Sequence, residues 1–368
     1  MKDEPNEAQS SDNIHGGKGN SPARSGRKAK IMVAIKATIS LLLLAYLIKQ
    51  TDQEDLLSYV KSVPLWFVLF AWFYYSVCQW ISAYRWQMFL AVKRIKVSMR
   101  KLFSFYMVGM FLNNFLPGAV GGDIVKTADL YRLTRNGNYA ISSVFLERFT
   151  GLVGLAIIGV IASVWTFDAT DSWLVLFSVL GVAAFLVVVL VVMWCEPLML
   201  LTVKMCRRCL PSSVADKFSD LYAALHSYRK HPREMTLAIL ISIVLQLMFA
   251  LYYGLFALLL GIDIDMVYFI VFLPAITLVT MLPISLGGLG VREALMVVLF
   301  AEVGIGSAEI LSISLTVHVV NIGLSLWGGL ILAFRKPIEQ QREDDIALHS
   351  DSDSSVASSP SSPSKQTH

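Results

Sequence analysis

Long apolar stretches separated by short polar segments dominate the chain. Six of them are close to the roughly 20 helical residues that cross a hydrocarbon core of ~30 Å. They are residues 31–49, 64–92, 140–167, 173–195, 235–261 and 310–334. This pattern predicts an all-α polytopic integral membrane protein with about six full transmembrane helices.

Composition supports the same class of protein. Hydrophobic residues make up 55% of the 368 residues and charged residues only 16%. A soluble domain carries more charge and less apolar surface than this. The polar segments 1–30 and 336–368 have too few apolar residues to form a core, and we expect both to be disordered tails.

Lys and Arg residues mark the side of the membrane on which each polar segment lies, because basic residues are retained in the cytoplasm. Basic clusters precede residue 31, follow residue 92, follow residue 195 and begin again at Arg335. The segments 51–55, 168–171 and 261–265 are acidic instead. We therefore expect both termini to be cytoplasmic. As a separate expectation, the membrane is taken to be the cytoplasmic membrane of a bacterium.

Two shorter apolar stretches, 102–116 and 266–282, end in almost the same motif. The first continues as LPGAVGGDIVKTA and the second as LPISLGGLGVREA, beginning at residues 116 and 282. Seven of the thirteen aligned positions match when Lys126 is counted with Arg292. This similarity indicates an internal repeat.

Pro followed by several Gly residues interrupts a helix, because Pro removes a backbone donor and Gly frees the backbone. Non-helical backbone at membrane depth is tolerated only inside the protein or beside water. Each short stretch is therefore predicted to be a re-entrant broken helix. The residues at the two breaks are Pro117, Gly121, Gly122, Pro283, Gly287, Gly288 and Gly290.

The order of spans is the same in two halves, about 31–167 and 173–335, and an odd number of crossings gives them opposite orientations. Inverted repeats of this kind place their substrate near the bilayer midplane, between broken helices with partly positive N-terminal ends. We expect one transmembrane domain over residues 31–335, with a site shared by both breaks.

Charged residues follow each break. Lys126 and Arg292 are suited to an anion such as phosphate, although either can instead be an interfacial residue of the cytoplasmic side. Asp123 and Glu293 lie beside them and can pair with the cations, carry a proton or cap a helix.

Other polar residues occur within the apolar stretches. Glu147 and Arg148 are adjacent in the third full span and should contact different partners, because neighbouring residues do not share a helix face. Asn114, with Asn113, precedes the first break and either caps the helix or contacts substrate. His318 and Asn321 share a face, and hydrogen bonds between helices explain them better than a proton relay.

Two further features, one basic residue and one cysteine-containing segment, are not expected to contribute to the site. Arg85 is expected to extend to the cytoplasmic headgroups. The CRRC segment at residues 206–209 lacks two well-spaced additional ligands, so reduced thiols are expected there rather than zinc.

Three segments in this order, NNFLPGAVGGDIVK, VFLERF and LPISLGGLGVREA, resemble signature segments of the lysylphosphatidylglycerol synthase transmembrane region, also called the flippase-like domain family. The resemblance extends over about residues 31–334. It implies a membrane domain that moves lipids or lipid-linked headgroups across the bilayer. Some members also carry a soluble synthetase or glycosyltransferase domain, which is not expected in this chain.

Three functions fit these observations: a lipid translocase, a secondary transporter of a small anion, and a membrane-embedded transferase acting on lipid-linked sugars. The first is preferred, from the resemblance and the paired anion sites. We expect membrane lipids as partners, together with separate lipid-modifying enzymes, and no nucleic acid. Neither cofactor nor catalytic activity is expected, because no phosphate-binding loop or nucleophile constellation occurs.

The topology can be tested by cysteine labelling. A single Cys introduced at His368 or in the first 30 residues should not react with a membrane-impermeant maleimide in intact cells. It should react once the membrane is permeabilised and the reagent reaches the cytoplasmic side. Labelling of His368→Cys from the outer side would contradict the inverted repeat.

Overall fold

The computed structural model of the protein describes residues 63–114, 121–165, 226–280 and 288–334, with a few isolated residues between 180 and 204. The predicted spans 31–49 and 173–195, both tails and the CRRC segment lie outside these residues. So do Pro117, Pro283 and Gly287, which belong to the two breaks.

Within the described residues every regular secondary-structure element is helical. The helices are α1 (Leu65–Val92), α2 (Met99–Asn113), α3 (Gly121–Thr134), α4 (Gly137–Trp165), a 3-10 turn (Ser227–Lys230), α5 (Pro232–Leu259), α6 (Met266–Thr280), α7 (Val291–Ala301) and α8 (Ser307–Phe334). Four of them, α1, α4, α5 and α8, are long and apolar enough to cross a membrane. The predicted all-α polytopic class is confirmed.

The same order of helix lengths occurs twice. Helices α1 to α4 have 28, 15, 14 and 29 residues, and helices α5 to α8 have 28, 15, 11 and 28. A 15-residue helix is ~22 Å long, which is less than the ~30 Å of a hydrocarbon core. The short helices on either side of each break therefore have the lengths expected of re-entrant segments.

Helix packing follows the same repetition. Helix α2 packs against α8 of the other half, and α6 packs against α4; α1 and α5 contact each other directly. The contacts of α1 with α2 and of α3 with α4 also have their counterparts, α5 with α6 and α7 with α8. Exchanging the two halves maps this set of contacts onto itself, as expected for structural repeats.

Aromatic side chains fill the core of the second half. Phe256, Phe269, Phe272 and Phe300 are fully buried. Phe67 of α1 meets Phe256 edge-to-face, with ring centroids 5.0 Å apart, a geometry that adds to the gain from burial. This cluster fixes α1, α5, α6 and α7 around one side of the molecule.

Glycines allow the closest helix approaches. A Cβ atom on Gly328 of α8 would lie 1.9 Å from the carbonyl oxygen of Met107 in α2. On the other side of α2, a Cβ on Gly122 would lie 2.6 Å from the carbonyl oxygen of Gly109. Helix α2 is thus held between α8 and α3 at backbone contact, a type of packing that small residues permit in membranes.

The close contact predicts the effect of Gly328→Ala. The added methyl group meets a backbone carbonyl that cannot rotate away, so the helices must separate, and overpacking of this kind costs about 1–3 kcal/mol. We expect a lower thermal stability of the protein in detergent. Gly137→Ala is the control, because the atoms nearest its Cβ position belong to the Tyr131 ring, 3.8 Å away, which is an ordinary contact distance. Equal melting temperatures for the two variants would contradict the packing described here.

Candidate functional site

A cavity of about 410 Å³ lies where the two halves meet. Each of the eight α-helices named above contributes to its lining. The lining is mixed in character, with charged, amide and tyrosine side chains together with apolar ones. The apolar residues include Leu152, Leu155, Ile158, Leu245, Phe249 and Leu273.

The structure brings many of the predicted site residues to this cavity. Those that line it are Asn114, Gly122, Asp123, Lys126, Glu147, Arg148 and Arg292. His318 and Asn321 line it as well. Lys126 and Arg292, which are aligned in the two repeated motifs, therefore face the same space.

Lys126 is the centre of an ion-pair network in the first half. Its Nζ atom lies 3.1 Å from Oε2 of Glu147 and 3.1 Å from Oδ1 of Asp123. The side chain also lies over the ring of Tyr106, with Nζ 4.1 Å from the centroid. Lys126 is buried, so its charge is balanced inside the protein by two carboxylates.

Asp123 is bound from two sides. Besides Lys126, it accepts hydrogen bonds from Nε and Nη2 of Arg148, at 2.5 and 3.0 Å. This two-bond geometry is the strongest that a guanidinium and a carboxylate form. Glu147 and Arg148 have different direct partners, as their adjacent positions on α4 predicted.

Arg85 completes the network, and its interpretation as a residue of the cytoplasmic surface is wrong. Its side chain is 8% exposed, and its Nη2 lies 3.3 Å from Oε1 of Glu147. Its Nη1 donates to Ser242 Oγ at 2.5 Å. Tyr106 also donates its hydroxyl hydrogen to Glu147. Arg85 lies eight residues before the basic cluster, ~12 Å deeper along the helix, where Glu147 supplies the opposite charge.

Arg292 has a different environment from its counterpart Lys126. It contacts the hydroxyl group of Tyr253 and lies near that of Tyr75. Within the described segments it makes no ion pair. The neighbouring carboxylate of Glu293 is fully buried and accepts hydrogen bonds from Gly290 N and Ser314 Oγ. Of the roles considered for Glu293, the structure shows that of a helix cap.

The glycines of the two breaks serve different purposes. Gly288 and Gly290 have φ angles of +84° and +80°, a backbone conformation that residues other than glycine rarely adopt. Gly122 is helical, and its lack of a side chain lets α3 approach α2. Its N–H donates to Oδ1 of Asn113 at 2.5 Å. Gly121 is buried in the same first turn of α3.

Asn114 joins the end of α2 to the other half. Its Nδ2 donates to Ser325 Oγ of α8 at 2.8 Å. Both Asn residues that precede the first break therefore satisfy polar groups of neighbouring helices, while their side chains also border the cavity.

Several cavity residues were not predicted, although the sequence contains a signal for them. Tyr75, Gln79, Ser82 and Arg85 all line the cavity from α1. Their spacings of four, three and three residues place them on one helix face. Hydropathy averages hide this polar stripe, because the rest of the segment is strongly apolar.

The cavity has an excess of positive charge. Among its described lining residues are the cations Arg85, Lys126, Arg148 and Arg292 and the carboxylates Asp123 and Glu147, so that four positive charges face two negative ones. A water-accessible cleft of one sign of charge attracts ligands of the opposite sign. The site is therefore suited to an anion.

These features define a helical integral membrane protein whose two repeated halves enclose a cavity lined by both charged and apolar residues. Residues 33–328 match the family described as the lysylphosphatidylglycerol synthase TM region, and the chain belongs to this family. The chain is also similar to a UPF0104 membrane protein of Pyrococcus horikoshii, with 24% identity over 329 residues that cover 83% of this chain and 96% of the relative.

The network predicts that Glu147→Gln destabilises the protein. The amide keeps the shape of the side chain but leaves Arg85 and Lys126 with less opposite charge, and loss of one partner of a buried ion pair costs about 3–5 kcal/mol. The free energy of unfolding in mixed micelles should fall accordingly. Glu302→Gln, at an exposed position, should change it by less than about 0.5 kcal/mol. Equal stability of the two variants would show that Glu147 is not needed to hold the cluster together.

Proposed function

We propose that the protein is a membrane lipid translocase, acting as a flippase or scramblase, that binds a phosphate-bearing lipid or lipid-linked headgroup between its two halves. The observation that carries this proposal is the cavity itself. It is lined from both repeated motifs, has an excess of positive charge and includes apolar side chains.

Arg292 is the residue best placed to bind the phosphate. It lines the cavity, and it makes no ion pair within the described segments. A guanidinium offers two parallel N–H donors to phosphate oxygens. Gly288 lies next to it, with its Cβ position 3.4 Å from Nη2 of Arg292, and the missing side chain keeps the approach to the guanidinium open.

The size and apolar lining of the cavity fit part of a lipid. Ligand pockets have volumes of about 300–1,000 Å³, so 410 Å³ holds a headgroup while the hydrocarbon chains remain in the bilayer. Leu152, Leu155 and Leu245 provide apolar surface for the beginning of those chains. A transporter of small inorganic anions has no need for such a surface.

The charged groups of the cavity favour transport over catalysis. The two carboxylates among the described lining residues, Asp123 and Glu147, are held by cations. A general acid or base instead needs an exchangeable proton near the reacting group. We therefore propose that the chain is not an enzyme, and that separate enzymes modify the lipid. The proposed location is the cytoplasmic membrane of a bacterium, with both termini in the cytoplasm.

Replacement of Arg292 tests the proposal. In vesicles containing the purified protein and fluorescent phosphatidylglycerol, Arg292→Gln should slow the transbilayer movement of the lipid by about ten- to a hundredfold. This range corresponds to the loss of a hydrogen bond to a charged group, about 1.5–3 kcal/mol. The rate is measured by reducing the fluorophore from outside with dithionite.

Arg132→Gln is the matched control, because Arg132 is an exposed arginine of α3 that does not line the cavity. Its rate should equal that of the unmodified protein. Uptake of radioactive inorganic phosphate into the same vesicles separates the two transport functions. Arg292-dependent phosphate uptake without lipid movement would replace the translocase by an anion transporter.

A further inference from the structure

Exposed cations cluster at the end of the molecule where α1 ends and α5 begins. They belong to residues 93–101 and 226–234, and we call them the cationic face: Arg94, Lys96, Arg100, Lys230 and Arg233. Within the described segments none of the five forms an ion pair. The single carboxylate of these two segments belongs to Glu234 and lies 3.8 Å from His231. The two segments therefore leave the positive charge of the face unbalanced.

Lys93 joins the two segments that form the cationic face. Its Nζ donates to Ser227 Oγ and lies over the ring of Tyr228, 4.8 Å from the centroid. The Tyr228 hydroxyl in turn donates to the carbonyl oxygen of Phe89 at 3.1 Å. The cations that follow α1 and those at the start of α5 thus belong to one surface.

The last helix ends at the level of this face. Ser325 of α8 bonds to Asn114 of α2, and Gly328 lies against Met107, so the two helices run in opposite directions. Phe334 lies ~9 Å beyond Gly328 at ~1.5 Å per residue, and the same distance along α2 leads from Met107 to the first turn of that helix. The chain therefore leaves α8 beside the segment that carries the first three cations of the face.

The sequence that follows α8 has the opposite charge. Residues 339–353 contain six carboxylates and one arginine, a net charge of −5. The carboxylates belong to Glu339, Glu343, Asp344, Asp345, Asp351 and Asp353. An extended chain covers up to ~3.4 Å per residue, so residues 335–343 alone span ~30 Å. This is about three helix diameters, which brings both parts of the face within reach.

We propose that residues 339–353 bind to the cationic face of the same chain. Attachment to α8 holds this acidic segment near the face at an effective concentration of about millimolar. A single exposed ion pair contributes little, but one segment with six carboxylates forms several pairs at once. Because both partners are exposed to water, salt weakens the contact. The proposal does not depend on the translocase function.

Carbodiimide crosslinking of the purified full chain, in a neutral detergent without added lipid, tests the proposal. The reagent joins an ammonium group to a carboxylate in ion-pair contact as an amide, and takes up the water that is lost to become a urea. Mass spectrometry of the monomeric fraction should find Lys96 and Lys230 linked to residues 339–353. The yield should fall about fivefold between about 0.1 and 1 M salt, because the Debye length shrinks from about 10 to 3 Å.

Variants of the arginines connect the crosslinks to the charge of the face. The double variant Arg100→Gln and Arg233→Gln removes two charges but no reactive amine, and it should lower the yield at Lys96 and Lys230 severalfold. The matched control, Arg100→Lys with Arg233→Lys, keeps the charge and should retain the yield at both lysines. Thermal unfolding identifies any variant that fails to fold, and the salt dependence of the unmodified chain decides in that case.

Three results would overturn the proposal. The first is an absence of crosslinks between residues 339–353 and the face, and the second is a yield that neither salt nor the glutamine variant changes. The third is a set of crosslinks that join two chains, seen by mixing isotopically labelled and unlabelled protein. Reconstitution separates the segment from anionic lipid, the competing partner of surface cations. Loss of the crosslinks in phosphatidylglycerol vesicles, but not in phosphatidylcholine vesicles, would assign the face to lipid headgroups instead.

Discussion

The first half of the structure depends on the ion pairs and hydrogen bonds made by the carboxylate of Glu147. It accepts from Arg85 of α1, Tyr106 of α2 and Lys126 of α3, and so it joins three helices to α4 through one side chain. Arg85 extends the connection to Ser242 of α5 in the second half. Charges at this depth are costly unless they are paired. Because all members of the cluster are needed to neutralise one another, the positions of four helices are determined together.

The two copies of the repeated motif make different contacts in the two halves. Lys126 pairs with two carboxylates, whereas Arg292 contacts the hydroxyl group of Tyr253 and lies near that of Tyr75. Gly122 serves close helix packing, whereas Gly288 supplies a left-handed backbone conformation. In one half the cation is held by an ion-pair network, and in the other it makes no ion pair within the described residues. A symmetric pair of anion sites, as the sequence repeat alone indicates, is therefore not what the side chains form.

Much of the fold could be predicted from the positions of the long apolar stretches. The apolar stretches 64–92 and 310–334 agree closely with α1 (Leu65–Val92) and α8 (Ser307–Phe334), because lipid-facing helices must be apolar over the full bilayer thickness. The interruptions between the short helices could be predicted from the sequence because Pro and Gly act on the local backbone. Arg85 could not be assigned in the same way, since the role of a buried charge depends on a partner distant in sequence. Glu147 is that partner, and only tertiary packing brings the two together.

The exchange of short helices between the halves has a consequence for how the chain is made. Asn114 at the end of α2 bonds to Ser325 of α8, 211 residues later in the chain. Helix α2 also packs more extensively on α8 than on either α1 or α3, its neighbours in sequence. At a synthesis rate of about 5–20 residues per second, roughly 10 to 40 s separate the two segments on the ribosome. During that interval the side-chain amide of Asn114 lacks its native partner on α8. The first half must therefore enter the bilayer in a provisional arrangement, which the last helix converts to the native one.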